Sequence, residues 1–343
     1  MQDDVIIQKA HSEGFIHLPN FFSDDEISLY FSLAHNLPYR DRIRDFMSVE
    51  PMHSLLFHPK VLRLARLLIG SQDIWYYGET NFAINSTPYR FWHRDARGTF
   101  RNLDDVQEPS ITKKVSINGW RFAIYDADYT KGSGGLKVSP GSHLRTSLDV
   151  APPPHRLKVI AKDSKLVIPR CNFPIVDIQS RRNDLIVFNL GTFHSGGFRR
   201  FDLERSFHPE IENQLIEFGF PFYDEVYPRD ALMFDYGGEC ENLDLYIKWR
   251  RNALITSKSP FQFKQLSSEL FHTYYVERIR KIAAQNRICL RFDKCIAECA
   301  WAQMHFLGSS KYLSELLLLN REFTEFFCNR EFVGQLPIRP STL

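Results

Sequence analysis

Long apolar runs, an excess of charge and paired cysteines are all missing from this chain of 343 residues, and each absence removes a class of protein. No stretch approaches the roughly 20 uninterrupted apolar residues of a bilayer-crossing helix, so no membrane span is expected. The opening Met1-Gln2-Asp3-Asp4 is acidic and no long apolar run follows it, which argues against a secretory signal. With 43 basic and 41 acidic residues the formal charge is +2, which makes no global electrostatic case for nucleic acid. The six cysteines, Cys171, Cys240, Cys289, Cys295, Cys299 and Cys328, form no Cys-x-x-Cys pair. Cys295 and Cys299 stand near His305 without zinc-finger spacing and read as helix-core residues. A reduced, cytoplasmic setting is expected.

Aromatic residues are abundant: 29 Phe and 14 Tyr within a 43% apolar composition describe a folded chain with a substantial core. Residues Gly14 to Phe22 alternate in part like a short strand and lead to Ser23-Asp-Asp-Glu26, a capping box that predicts a helix to about Asn36. Val61, Leu62, Ala65, Leu68 and Ile69 recur at helical spacing after Pro59, and Gly70 stops that helix. From Ile74 to about Arg250 the pattern changes to short aromatic and β-branched runs. Strands are predicted at Ile74 to Ile84, Tyr89 to Asp95, Trp120 to Asp126, Gly135 to Ser139, Leu166 to Ile168, Asp184 to Asn189, Thr192 to His194 and in part of Ser206 to Gly219. Such strands without intervening helices read as a sandwich, barrel or jelly roll. A charged segment between Asp95 and Trp120 reads as a lid, and Pro152-Pro153-Pro154 as loop. Beyond about 260 an apolar stripe through Leu270, Phe271, Tyr274, Tyr275, Ile279, Ile282 and Ala283 predicts helix, and Leu313 to Leu319 begins another. The expected organisation is a sheet-forming domain over residues 1–259 and a helical extension over 260–343, packed on the sheet or on a second subunit.

Within Phe91-Trp-His-Arg-Asp95, His93 and Asp95 stand two apart on a predicted strand, so both would project from one face. About 1.4 His-x-acid triplets are expected by chance and three occur. His11 with Glu13 lies in the N-terminal lead-in, and His208 with Glu210 encloses Pro209, a poor fit to a central strand. An imidazole and a carboxylate completed by a second imidazole form the three-ligand face that holds Fe(II) with coordination positions open. His194 is the expected third ligand, because it follows the buried-strand run Leu185-Ile-Val-Phe-Asn-Leu190 and sits among glycines. His143, in a Pro-Gly-Ser-His turn, and His272 and His305, on expected helices, fit less well. If the ion works with a dicarboxylic acid, an arginine should grip its far end. Arg205, eleven residues after His194, is the candidate, with Arg199 and Arg200 as competitors in a glycine-rich bend. Arg90, Arg94, Arg97 and Arg101 flank the His-x-Asp pair and read either as a solvated rim or as contacts to an anionic substrate.

The order His93-x-Asp95, then Ser133-Gly-Gly-Leu-Lys-Val-Ser-Pro-Gly-Ser-His143, then His194 with Arg205, resembles the phytanoyl-CoA dioxygenase family of Fe(II)- and 2-oxoglutarate-dependent oxygenases over about residues 70 to 215. The opening Gly14 to Phe22 and its capped helix are similar to that family's as well. The resemblance implies a mainly β fold with helical additions around a double-stranded β-helix, the jelly-roll or cupin-like core. It implies Fe(II) held by His93, Asp95 and His194, and 2-oxoglutarate as co-substrate held by Arg205. The implied reaction, with dioxygen, releases succinate and CO2 and by default hydroxylates the substrate; the flanking arginines, not the resemblance, suggest that this is a small, anionic organic molecule such as a sugar derivative or specialised metabolite. The segment 96–118 and the C-terminal tail depart from the shared pattern, so the substrate does not carry over. Two other classes compete: a cupin-like metal-binding sensor without turnover, and a metal-free β-sandwich module. A homo-oligomer built through the C-terminal helices is a further expectation.

Overall fold

The computed structural model describes residues 3–37, 46–78, 80–86, 93–95, 117–129, 135–144, 175–196, 229–247 and 273–291. The chain opens with helix α1 (Asp3–Glu13), where the sequence suggests only a lead-in, and strand β1 (Phe15–Leu18). Helix α2 (Asp24–Asn36) starts at the predicted capping box: the Glu26 N–H donates to Ser23 Oγ, and the Ser23 N–H donates back to the Glu26 carboxylate. A short helix α3 (His53–Leu56) precedes α4 (Pro59–Ile69), which begins on its proline and ends at Gly70, φ 75°, a left-handed cap that glycine adopts without steric cost. The strand predicted from Ile74 to Ile84 is two, β2 (Ile74–Tyr76) and β3 (Asn81–Ser86), because Gly78 turns the chain between them at φ 78°.

The remaining strands are β4 (Gly119–Tyr125), β5 (Leu136–Val138), β6 (Val176–Asp177), β7 (Leu185–Asn189), β8 (His194–Gly196), β9 (Arg229–Gly237) and β10 (Ile288–Leu290). They form a seven-stranded sheet of order β1-β7-β4-β9-β2-β10, with β3 also on β9, and a three-stranded sheet β6-β5-β8. From β4 to β9 the chain passes back and forth between the two sheets. That alternation makes a jelly-roll core of the double-stranded β-helix kind, mainly β with helical additions.

Strand periodicity divides each large-sheet strand between two cores. Trp120, Phe122 and Ile124 of β4, with Leu232, Phe234 and Tyr236 of β9, pack under α2, α3 and α4. Ala123 and Tyr125 of β4, Ile186 and Phe188 of β7 and Ala231 of β9 meet Leu136 and Val138 of the small sheet. This is why β7 reads as an unbroken apolar run: both of its faces are buried. Its start is tied to β1 by Asp184, 3% exposed, which accepts from His17 Nε2 and from the Asn20 and Arg181 amides.

In the C-terminal stretch, helix α5 (Thr273–Gln285) overlaps the predicted stripe, and strand β10 (Ile288–Leu290) pairs in parallel with β2 at the sheet edge. Ile279, Ala283 and Ile288 join the core under the N-terminal helices. The expected boundary at 259/260 lies outside the described residues. So do Pro152–Pro154, the strands predicted at 166–168 and 206–219, the helix at 313–319, and Cys171, Cys295, Cys299 and Cys328.

Candidate metal centre

His93 and His194 donate to each other's carbonyl, both at 3.0 Å, as an isolated antiparallel bridge that adds His93 to the edge of the small sheet. A directly opposed pair presents its side chains on one face, and the two imidazole centroids lie 4.2 Å apart. The strand predicted over Tyr89 to Asp95 is corrected in its described part: His93 alone is bridged, and Asp95 sits in the turn that follows. The carboxylate reaches the histidines by that turn rather than by strand alternation. Asp95 Oδ1 is 3.6 Å from His93 Nε2, and Oδ2 is 3.8 Å from His194 Nε2. One ligand atom from each of the three residues lies within 4.8 Å of the others.

The donor set, two imidazole nitrogens and one carboxylate oxygen, suits a divalent first-row metal with open positions. The His194 ring is fixed in the state such an ion requires. Its Nδ1–H donates to the Thr192 carbonyl at 3.0 Å, which leaves the Nε2 lone pair facing His93 and Asp95. Burial, and then the neighbouring His93, push this imidazole down to about 3, so it stays neutral. Phe188 packs 4.6 Å from its ring. Exposure rises from 6% at the His194 side chain through 12% at Asp95 to 31% at His93, so the group opens on the His93 side.

The Pro-Gly-Ser-His turn supports His194 from behind. The Phe193 N–H donates to Ser142 Oγ, and the Ser139 N–H to the Phe193 carbonyl, so the residue before His194 is held on both sides. Arg94, between His93 and Asp95, donates to the Ser142 carbonyl at 2.6 Å and lies 4.2 Å over the Phe193 ring. Of the four flanking arginines it thus clamps the His93–Asp95 segment to this turn; Arg90, Arg97 and Arg101 lie outside the described residues. His143 donates from Nε2 to the His11 carbonyl of α1. Gly14 closes the same brace, its carbonyl accepting from Thr192 Oγ1 and the Asn189 amide, both at 2.8 Å.

Arg121, Asp235 and Arg229 were not singled out in the sequence. Arg121 forms a fork with Asp235, Nε to Oδ1 at 2.8 Å and Nη2 to Oδ2 at 2.7 Å, while its Nη1 is 2.9 Å from Asp95 Oδ2. Burial opposes its charge, but Asp235 and Asp95 outweigh that and hold the guanidinium protonated well above the ordinary arginine range. At the other end of the inward row of β9, Arg229 is 8% exposed, donates to the Gly135 carbonyl and lies 5.0 Å over the Tyr125 ring. The Tyr125 hydroxyl is buried with no hydrogen-bond partner among the described residues. The signal that could have found these residues is the alternation of Arg-Asp-Ala-Leu-Met-Phe-Asp-Tyr, which puts Arg229 and Asp235 on the face opposite Leu232, Phe234 and Tyr236. In a second grouping, His35, Asp126 and Asp230, Asp126 pairs with Arg182, and Asp230 lies 2.7 Å from His35 Nε2. Arg205, Arg199 and Arg200 lie outside the described residues.

No protein-family model and no curated protein matches the chain. Among solved structures it is similar to EctD from S. alaskensis with 2-oxoglutarate and 5-hydroxyectoine, at 18% identity and a TM-score of 0.43 over 68% of this chain and 75% of that one. It is also similar to the non-heme alpha ketoglutarate dependent epimerase SnoN from nogalamycin biosynthesis, at 17% identity and a TM-score of 0.42 over 68% and 82%. Likeness at this level assigns neither activity nor substrate, and the chemistry rests on the residues of this chain.

Proposed function

We propose that this protein is an Fe(II)- and 2-oxoglutarate-dependent oxygenase of the phytanoyl-CoA dioxygenase kind, hydroxylating a small, anionic organic molecule. The observation that carries the reading is the convergence of His93, Asp95 and His194, with the buried histidine already in its ligating tautomer. When bound, Fe(II) supplies the coupling of dioxygen activation to oxidative decarboxylation of the keto acid. The protein's part is to hold and place. His93, Asp95 and His194 would hold the ion, Phe188 excludes water from the buried side, and the more exposed His93 side admits substrate.

The far carboxylate of 2-oxoglutarate needs a cation on the inward face. Two arginines compete: Arg205 on spacing, and Arg229 on position. Supporting Arg229 are its burial between the sheets and the adjacent Tyr125 hydroxyl, a buried donor with no described partner. We place the protein in the cytoplasm, on the absence of any Cys-x-x-Cys pair among its six cysteines. No described helix is long and apolar enough to cross a membrane.

The test is an anaerobic titration with Fe(II) and 2-oxoglutarate, following the visible charge-transfer band of the chelate in wild type, Arg205→Ala and Arg229→Ala. We expect a band saturating at one equivalent in wild type and a raised 2-oxoglutarate requirement in Arg229→Ala. The same loss in Arg205→Ala alone would return the anchor to that residue. A metal-loaded wild type without the band would reject the oxygenase reading.

A further inference from the structure

We infer that Asn189 is a positioning residue for His194: its side-chain carbonyl shapes the turn that delivers the imidazole, and its side-chain amide ties that turn to the entry of β4. This rests on the proposed metal site. Asn189 is the last residue of β7, and it is buried. Both ends of its side chain are engaged. Oδ1 accepts from the Gly191 N–H at 2.9 Å, and Nδ2 donates to the Ile117 carbonyl at 2.8 Å. A donor at Gly191 and an acceptor at Ile117 admit one orientation of the amide. The backbone carbonyl of Asn189 also accepts from the Thr192 N–H at 2.8 Å, so one residue closes the turn with side chain and main chain together.

What stands at the far end of the turn gives it a role beyond ending a strand. The Thr192 carbonyl receives the Nδ1–H of His194, so a shift of Thr192 moves the group that fixes the ring and aims Nε2. Strand β7 is paired on both sides, with β1 and with β4, and its end is a fixed point. Asn189 carries that fixed point around the turn to Thr192. The Leu190 N–H donates to the Gly119 carbonyl at 3.0 Å, so with the Nδ2 bond to Ile117 the turn is fastened to the entry of β4 twice. Space is tight as well: a Cβ at Gly191 would come 3.1 Å from Asn189 Oδ1 and 3.4 Å from His143 Cβ.

Asn189→Ala removes both side-chain bonds. Asn189→Asp keeps an acceptor for the Gly191 N–H and loses the donor to Ile117. Both variants and wild type are titrated with Co(II), and the visible spectrum is recorded beside thermal melting. Both variants should melt lower. Asn189→Ala should lose Co(II) affinity by ~10–100-fold, the range for disturbing the partner of a metal-bound residue, with a changed spectrum, and Asn189→Asp should recover most of that affinity. If Asn189→Ala does not fold, Gly191→Ala carries the test: its methyl crowds Oδ1 and should weaken Co(II) binding severalfold, and wild-type binding there would overturn the inference. An alanine variant that melts lower yet binds Co(II) with wild-type affinity and spectrum would show a plain strand-end cap and overturn the inference while leaving the metal site standing. An aspartate variant as weak as alanine would overturn the role given to Oδ1. A wild type that takes up no Co(II) would overturn the metal site, and this inference with it.

Discussion

Replacing Gly14 with alanine tests how the N-terminal segment is joined to His194, which lies 180 residues away. Gly14 has φ +79°, and a Cβ there would come under 3 Å from both the His143 ring and the Thr192 hydroxyl. Gly70 is the control: its φ is +75°, and a Cβ would meet nothing within 4 Å. Forcing alanine into the left-handed region costs ~1–2 kcal/mol at either site. Crowding adds ~1–3 kcal/mol at Gly14 alone, the usual range for overpacking. Gly14→Ala should therefore lose ~2–5 kcal/mol and Gly70→Ala ~1–2 kcal/mol in urea unfolding, with the denaturant slope unchanged in both. Because the Thr192 carbonyl receives the Nδ1–H of His194, displacing Thr192 should also weaken divalent-metal binding in Gly14→Ala and not in Gly70→Ala. Removing the ring with His143→Ala should return part of the loss, so the double variant should be less destabilised than the sum of the singles. Equal losses at the two glycines, with metal binding untouched, would refute the brace.

Ser23→Ala should cost ~1 kcal/mol of stability through loss of the helix cap, read by thermal or urea unfolding. The Glu26 carboxyl is held at about 2, foremost by the Ser23 backbone N–H, well below its ordinary 4.5. Its folded-state pKa is depressed, so its contribution is present above about 4.5 and is lost as pH falls toward about 2. Glu26→Gln should flatten that part of the stability profile, and a profile identical to wild type would exclude the effect. Truncation before Thr273 removes α5 and β10, exposing the edge of β2 at Ile74 to Tyr76 and deleting Ile279, Ala283 and Ile288 from the core. The truncated chain should melt lower and aggregate on concentration, as an uncovered strand edge does. A soluble chain with unchanged melting would reject a structural role for this stretch.

Much of the local structure was legible in the residues. The Ser23 to Glu26 box, the Pro59 start and the Gly70 stop each act within a turn of helix, so contiguous residues suffice to encode them. The apolar run at β7 and the patterns at β4 and β5 were read as strands for the same reason. The three proposed ligands were also chosen from sequence, since a His-x-Asp pair and a later histidine beside glycines carry a chemical signature of their own. The geometry that joins them was not: Asp95 reaches the histidines from a turn, and His93 meets His194 across a bridge closed by distant segments. Strand β9 went unnoticed, and with it Asp235 and Arg229. Arg121 reads in sequence as a charge between aromatics, and it finds Asp235 114 positions later only because β4 and β9 pair in register. Residue types and short-range spacing thus settled the elements and the chemistry on offer, since those depend on neighbours within a few residues. Which charge faces which ligand was decided by strand pairing, whose partners are set by burial across the whole chain rather than by any local pattern.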